Sequence, residues 1–300
     1  MKIFSGTSNV ILAEKIAKNL GIRLSGLEVF VFPDGEKRVR ILDKVLGEDA
    51  VVVQSTSFPV DENYMQLFFT IDALKRNGAK SITAVIPYLG YQRQDHMFRE
   101  GEDVSVKVIT EILDKVGLNR LITVDLHSVK IKEAFNIPVS HLSAMPIFAE
   151  KIKKMGWNDG SATLIAPDAG GTRRIKILSG MLNNMSLAVI EKNRDLATGT
   201  VSAEKIAGKI GKRTIIVDDM ISSGGTIAVA AELLRKNEVE EIYVFATHPV
   251  FSEKAPQILE SAAVNKVYVA DTVYIPKEKR FPKLEILSVA EIIAGSIKSA

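Results

Sequence analysis

At 300 residues the chain is long for one domain and comfortable for two, so a sizeable core is available. Its 46% hydrophobic and 25% charged content is that of a soluble globular protein, and 39 Lys and Arg against 36 Asp and Glu leave a net charge of +3, too small to make nucleic acid the expected main partner. The absence of cysteine excludes disulfides and thiol catalysis and fits a reducing or a hot environment equally.

In chain order, the opening Met1-Lys-Ile-Phe-Ser-Gly-Thr7 lacks a signal-peptide pattern, and no apolar run is long enough to cross a bilayer. The expectation is a cytoplasmic protein with no membrane partner. Ile3–Phe4 begins a short strand, and Gly6-Thr7-Ser8 leads into a helix over Asn9–Asn19, with apolar positions at Val10, Ala13, Ile16, Ala17 and Leu20. Val29–Phe32 reads as a strand ending in Pro33-Asp34-Gly35-Glu36, a tight turn by its composition. Val51–Gln54 is a further strand, Asn63–Asn77 a helix stopped by Asn77-Gly78, and Ser81–Pro87 another strand.

A polar run, Tyr91-Gln-Arg-Gln-Asp-His-Met-Phe-Arg-Glu-Gly-Glu102, then precedes a helix over Val104–Val116. A solvated loop is the ordinary fate of such a run. Arg93, His96 and Arg99 nevertheless supply cationic donors, and Tyr88, Tyr91 and Phe98 are rings able to stack on a base. Leu121–Val124 is the next strand, tipped by Asp125-Leu-His-Ser128, where His127 beside an acid at a strand tip is a candidate ligand.

In the second half, Asn158-Asp-Gly-Ser161 marks a turn-rich break, with a helix around Pro146–Met155 before it. Thr163–Ala166 is a strand ending Pro167-Asp-Ala-Gly-Gly-Thr-Arg-Arg174; its glycine pair permits close backbone approach, and Asp168 can cap the next helix or face a cation. Leu187–Ile190 is a strand running into Glu191-Lys-Asn-Arg-Asp195, by composition a charged hairpin. Later elements are a strand at Glu241–Thr247 followed by His248-Pro249, a helix over Ser252–Ala262, a strand at Lys266–Val269 and a final amphipathic helix over Ser288–Ile297.

The most informative stretch is Arg213–Ile227. Thr214–Val217 reads as a buried parallel strand, Asp218 and Asp219 follow it, and Ser222, Ser223, Gly224, Gly225 and Thr226 lead into a helix over Ile227–Lys236. Small residues let backbone N–H groups close on an anion at a helix N-terminus, while carboxylates need hydroxyl donors or a cation. A phosphorylated sugar suits both, with phosphate on the loop and ribose hydroxyls on Asp218 and Asp219. Glycines alone would signify only a strand-turn-helix corner; paired acids at the carboxyl edge of a sheet sit where ligands bind.

Residues 213–227 resemble the phosphoribosyl-diphosphate (PRPP) loop of the type I phosphoribosyltransferase fold. Together with Phe32-Pro-Asp-Gly-Glu36, Tyr91-Gln-Arg-Gln-Asp95 and Asp125-Leu-His-Ser128, in that order and at that approximate spacing, the whole chain resembles the ribose-phosphate diphosphokinases, or PRPP synthetases. The resemblance implies an α/β fold of two tandem phosphoribosyltransferase-type I, Rossmann-like domains with largely parallel sheets, 1–142 and 143–300, the last helix a candidate to pack back on the N-terminal domain. It implies a kinase-class transferase of nucleotide biosynthesis that moves the diphosphoryl group of magnesium-ATP to the 1-hydroxyl of ribose 5-phosphate. It also implies a homo-oligomer, at least a dimer, because the family's Phe-Pro-Asp-Gly-Glu turn reaches into a neighbouring subunit's ATP site.

Carried over residue by residue, Phe32 contacts adenine, Asp34 and Glu36 hydrogen-bond the base, and Arg93, Gln94 and Asp95 line the same nucleotide. His127 and Asp168 hold Mg2+ on ATP, although magnesium prefers oxygen ligands to imidazole. Lys192 and Arg194 match the spacing of a mobile catalytic arm that neutralises charge in the transition state. Asp218 and Asp219 orient the ribose, and Ser222, Ser223, Gly224, Gly225 and Thr226 hold its phosphate.

Two wordings depart from the commoner pattern. Ser222-Ser223 stands where an acid or small residue followed by Thr is usual, which keeps oxygen donors in the loop. Met97 and Phe98 stand where basic and small residues are common, so phosphate activation and ADP inhibition are not carried over. One rival, a phosphoribosyltransferase, leaves the ATP-like segments without a role. The other, a catalytically silent homologue, is disfavoured by the presence of the Lys-Arg pair and both magnesium candidates.

Overall fold

A computed structural model describes residues 1–157, 159–194 and 201–299, and of 192–194 and 201–204 the backbone alone. The strands and helices run β1 (Lys2–Ser5), α1 (Val10–Leu20), β2 (Leu27–Val31), β3 (Lys37–Ile41), β4 (Asp49–Val53), α2 (Val60–Arg76), β5 (Ser81–Ile86), α3 (Ser105–Val116), β6 (Arg120–Val124) and β7 (Val139–Leu142). They continue as α4 (Met145–Lys154), β8 (Thr163–Ala166), α5 (Thr172–Met181), β9 (Ser186–Arg194), β10 (Val201–Ala207), β11 (Arg213–Ile221) and α6 (Gly225–Lys236). The last are β12 (Glu241–Pro249), α7 (Ala255–Ser261), β13 (Lys266–Ala270), β14 (Leu284–Leu287) and α8 (Ala290–Lys298).

Two compact units result, one of residues 1–142, 272–274 and 288–300, the other of 143–271 and 275–287. Unit 1 holds a five-stranded sheet in the order β1-β4-β5-β6-β7, every neighbouring pair parallel. Its core gathers Phe4, Val52, Leu67, Ile71, Leu74, Ile86 and Leu113 from strands and helices, each full burial contributing roughly 1.5–3 kcal/mol before entropy is counted. Helix α8 packs on α1, where Lys298 Nζ donates to the Asn19 carbonyl at 2.9 Å.

Unit 2 holds a seven-stranded sheet in the order β10-β9-β8-β11-β12-β13-β14, parallel except for the antiparallel β9–β10 hairpin. Ile165, Ile216, Val244 and Val267 carry one face of it into a core with Ile227, Ala231 and Leu234 of α6. Strands β8, β11, β12, β13 and β14 repeat the order of β1, β4, β5, β6 and β7. In each unit a hairpin follows the helix that comes after the first strand: β2–β3 after β1 and α1, and β9–β10 after β8 and α5. Both units are therefore versions of one topology, with loops at the carboxyl ends of parallel strands, the edge where ligands bind in such sheets.

Several elements differ from the sequence expectation. Strands β3, β7, β10 and β14 have no counterpart in it; β3 and β14 are sheet edges whose residues alternate or stay only half-buried, so they lack a continuous apolar run. Strand β11 runs past the expected Val217 to Ile221, because β12 continues to pair with it through Ile221↔Pro249. The helix expected from Ser252 starts at Ala255, since Phe251 (φ 43°) and Glu253 (φ 45°) are left-handed.

Candidate functional site

Strand β11 delivers the two acids and then the small-residue loop. Asp219 is buried and Asp218 half-buried, and the Asp219 N–H donates to Asp218 Oδ1 at 2.9 Å. Burial, followed by the adjacent Asp219 charge, pushes the Asp218 carboxyl well above its ordinary range; Arg174 opposes that shift and Asp168 adds to it. Arg174, in the first turn of α5, places Nη1 3.5 Å from Asp218 Oδ1 and Nη2 3.5 Å from Asp219 Oδ1.

Beyond the acids the chain turns through Ser222 and Ser223 to Gly224, which has φ 81° and caps α6. A side chain there would be strained and would also press on Leu259 of α7, at 3.3 Å from its Cβ position, so glycine meets a conformational and a packing requirement together. No side chain caps α6, and its first N–H groups and dipole face the loop that Ser222–Thr226 forms. The loop is braced from the next strand connection: Ser252 N–H donates to the Ser222 carbonyl at 3.1 Å, and the two hydroxyl oxygens lie 3.2 Å apart. Phe251 N–H donates in turn to the Ile221 carbonyl at 3.0 Å, and Lys279 Nζ to the Phe251 carbonyl at 2.6 Å.

Asp168 follows β8. Its Oδ1 accepts from Gly171 N at 3.2 Å, so the carboxylate caps the short turn Ala169–Gly171 that starts α5. The capping role and the glycine pair are thus one feature: Gly171 lies so close to Ala166 that a Cβ would sit 3.2 Å from the Ala166 Cβ. Within unit 2 the structure brings Asp218, Asp219, Ser222, Ser223, Gly224, Gly225 and Thr226 into one continuous strand-loop-helix, with Arg174 spanning from the Asp168 turn to the acids. The side chains of Lys192 and Arg194, expected on the arm, lie outside the described residues; their backbone is in β9, paired with β10.

Unit 1 presents the other predicted residues on three loops. Phe32, Asp34 and Glu36 form the exposed tip of the β2–β3 hairpin, closed by Phe32 N–H to the Glu36 carbonyl at 2.8 Å, Glu36 N–H to Asp34 Oδ1 at 3.1 Å, and Gly35 at φ 92°. Arg38 stacks over the rings of Phe30 and Phe32, 5.2 and 5.9 Å from their centroids. Arg93 is exposed, and Gln94 and Asp95 are half-buried on the loop after β5. Asp95 Oδ1 accepts from His96 Nδ1 at 2.6 Å, and both line a cavity of about 660 Å³ shared with Lys107, Ser128 and Lys130.

That loop is held down from beneath. Tyr64 OH donates to the Gly90 carbonyl at 2.8 Å, and Tyr91 OH donates to Asp61, which raises the phenol's pKa. His127, exposed at the β6 tip, is positioned by its N–H donating to Gln92 Oε1 at 2.9 Å. Leu126 N–H likewise donates to His141 Nε2 at 2.8 Å. Arg174, Ser252, Gln92 and His141 escaped sequence reasoning. Arg174 lay inside the quoted stretch after Asp168, and its cationic side chain next to a candidate acid was the one available signal.

No cluster of three metal-ligating side chains occurs among the described residues, and none of the described helices is long and apolar enough to cross a membrane.

Comparison with known proteins bears on these loops. Residues 1–117 match the family profile of the N-terminal domain of ribose phosphate pyrophosphokinase, and residues 183–300 that of the phosphoribosyl synthetase-associated domain. The ribose-phosphate pyrophosphokinase of Fusobacterium nucleatum is 38% identical over 297 residues, covering 99% of this chain and 94% of that protein. Ribose-phosphate pyrophosphokinase 2 of Enterococcus faecalis is 39% identical over 298 residues, covering 99% and 92%. The crystal structure of phosphoribosylpyrophosphate synthetase from Mycobacterium smegmatis superposes with a TM-score of 0.93 at 34% identity, covering 99% of this chain and 97% of that one.

Proposed function

The chain belongs to the ribose-phosphate pyrophosphokinase family, and from that premise we propose how its residues divide the reaction. The enzyme transfers the β,γ-diphosphoryl group of ATP to the 1-hydroxyl of ribose 5-phosphate, giving PRPP and AMP. The hydroxyl oxygen bonds to the β-phosphorus as the bond from that phosphorus to the bridging oxygen breaks, and AMP leaves with that oxygen.

The observation that carries the assignment is the continuity of Asp218-Asp219 with the loop Ser222–Thr226 at the start of α6. Carboxylates accept ribose hydroxyls; the loop and helix N-terminus receive the 5-phosphate, aided by the hydroxyls of Ser222, Ser223 and Thr226. Phe32, Asp34, Glu36, Arg93, Gln94, Asp95 and His127 bind the nucleotide. Lys192 and Arg194 neutralise charge gathering on the transferred phosphates, and closure of their arm excludes water that would otherwise accept the diphosphoryl group. Catalysis is mostly positioning and electrostatics.

Magnesium fits this donor set as an ion carried by the nucleotide. Asp168 and Asp219 each act electrostatically on Asp218, opposed by the Arg174 guanidinium, and Asp168 supplies the hard oxygen that magnesium prefers. With so few protein ligands, the rest of the ion's shell would come from phosphate and water, and His127 would hold it together with Asp168, in part through water or phosphate. Magnesium, when bound, would offset the charge on the phosphates.

The working form is a homo-oligomer of at least two subunits with a shared ATP site. Phe30 and Phe32 are 44% and 38% exposed on the hairpin, an unusual place for two aromatic rings unless something covers them. Mixed Asp34→Ala and Asp168→Ala enzymes, each inactive, regain activity if the site is shared; lasting inactivity despite confirmed subunit exchange rejects sharing.

Phosphorus NMR with ATP, magnesium and ribose 5-phosphate tests the reaction. AMP in equal amount to a new sugar-linked diphosphate supports it, and ADP as product overturns the β-attack.

A further inference from the structure

We propose that Arg174 is a positioning residue for the sugar: its guanidinium fork holds Asp218 and Asp219 side by side so that both carboxylates accept ribose hydroxyls. The proposal rests on the reading that these two acids bind the ribose.

The geometry comes from three elements. Strand β11 brings the acids out on successive residues, and α5 begins directly after the Asp168 turn and sets Arg174 in its first turn. Ile175 and Leu178, both fully buried, anchor α5, so the base of the Arg174 side chain is fixed by packing. Only 16% of that side chain is exposed, with 15% of Asp218 and 7% of Asp219. At this depth two neighbouring carboxylates repel strongly, and a counter-charge facing both works against the uptake of a proton by either. A protonated carboxyl gives up part of its acceptor capacity, which is the property a ribose hydroxyl needs.

The fork matters as well as the charge. One guanidinium nitrogen faces each acid, a division that a lysine ammonium on its flexible stem does not reproduce. At 3.5 Å the contacts are longer than the 2.7–2.9 Å of charge-assisted hydrogen bonds. Arg174 therefore offsets part of the pair's charge by proximity while leaving carboxylate lone pairs to hydroxyl donors.

The test is calorimetric titration of ribose 5-phosphate into wild-type protein, Arg174→Met, Arg174→Lys and Asp218→Ala, with thermal melts and steady-state kinetics on each. Arg174→Met is expected to weaken ribose 5-phosphate binding and raise its KM on the order of tenfold or more, with KM for ATP within about twofold. Arg174→Lys is expected to melt near the wild type and to bind with an intermediate loss. Wild-type affinity in either variant overturns the proposal, as does an equal rise in both KM values together with a lowered melt in Arg174→Met, which marks a merely structural ion pair. Should Arg174→Met not fold, Arg174→Lys decides by the same criterion. Loss of binding in Asp218→Ala with wild-type binding in the Arg174 variants removes only the positioning role; wild-type binding in Asp218→Ala removes the sugar assignment itself and the proposal with it.

Discussion

Ser222 and Ser252 are joined twice, by Ser252 N–H to the Ser222 carbonyl at 3.1 Å and by hydroxyl oxygens 3.2 Å apart. The loop proposed to hold the phosphate is thereby braced by a connection some thirty residues further along the chain, itself fixed by left-handed Phe251 and Glu253. Replacing Ser252 by Ala removes one neutral hydrogen bond of about 0.5–1.5 kcal/mol. Ribose 5-phosphate KM is expected to rise by about two- to tenfold, kcat and ATP KM staying level. Initial-rate kinetics with each substrate varied in turn check this, and an equal effect on both KM values contradicts it.

Lys192→Ala is expected to cut turnover about a hundred- to a thousandfold, the range seen when one transition-state donor is lost. Calorimetric affinity for ribose 5-phosphate should stay unchanged, because the loss falls on charge that develops only during transfer. Unchanged turnover removes the arm from the mechanism.

Protonation of Asp218 gives two pH effects of opposite sign. The carboxyl's raised pKa means that the native state binds a proton more readily than the unfolded chain. Its stabilising contribution is therefore complete below the ordinary carboxylate value and lost as pH rises through the native one. Sugar binding needs the carboxylate, so affinity falls as pH is lowered through that same raised value. Urea midpoints and calorimetric affinities across weakly acidic pH, compared between wild type and Asp218→Asn, separate the two, and parallel curves for the two proteins refute the assignment.

Gln54 stands at the carboxyl end of β4, the strand that takes the place of β11 in the sheet order of unit 1. Instead of an acid awaiting a ligand, it is a buried amide that accepts from Ser8 Oγ at 3.0 Å and donates to Asn63 Oδ1 at 3.1 Å and Gln66 Oε1 at 3.0 Å. The place in unit 1 that corresponds to the proposed sugar site of unit 2 is thus filled by its own side chains. Titration should give one ribose 5-phosphate per chain. Gln54→Ala should cost about 1–3 kcal/mol through unpaired buried partners, visible as a melting point several degrees lower. Two sugar equivalents per chain, or an unshifted melt, disproves this account.

How far the fold was legible depended on how local its causes were. The strand-loop-helix of residues 213–236 was readable because apolar β-branched residues, small loop residues and helical periodicity all lie within one short stretch. The edge strands Lys37–Ile41 and Leu284–Leu287 were not, since their half-buried residues take strand form only from a partner's hydrogen bonds. The β2–β3 turn was legible from Pro33-Asp-Gly35, whereas nothing near Ser252 announced its bond to Ser222.

The sequence by itself determined the family, the α/β class and the small-residue strand-loop-helix of residues 213–236, because each is written in contiguous motifs or periodic apolar positions. Only the tertiary structure decided that Arg174 faces both acids, that Ser252 braces Ser222, that Gln92 sets His127, and that Gln54 fills the corresponding place in unit 1. Each of these contacts joins residues on separate strands, helices or loops. Burial then fixes their energetic weight, and burial is a property of the packed chain rather than of any segment within it.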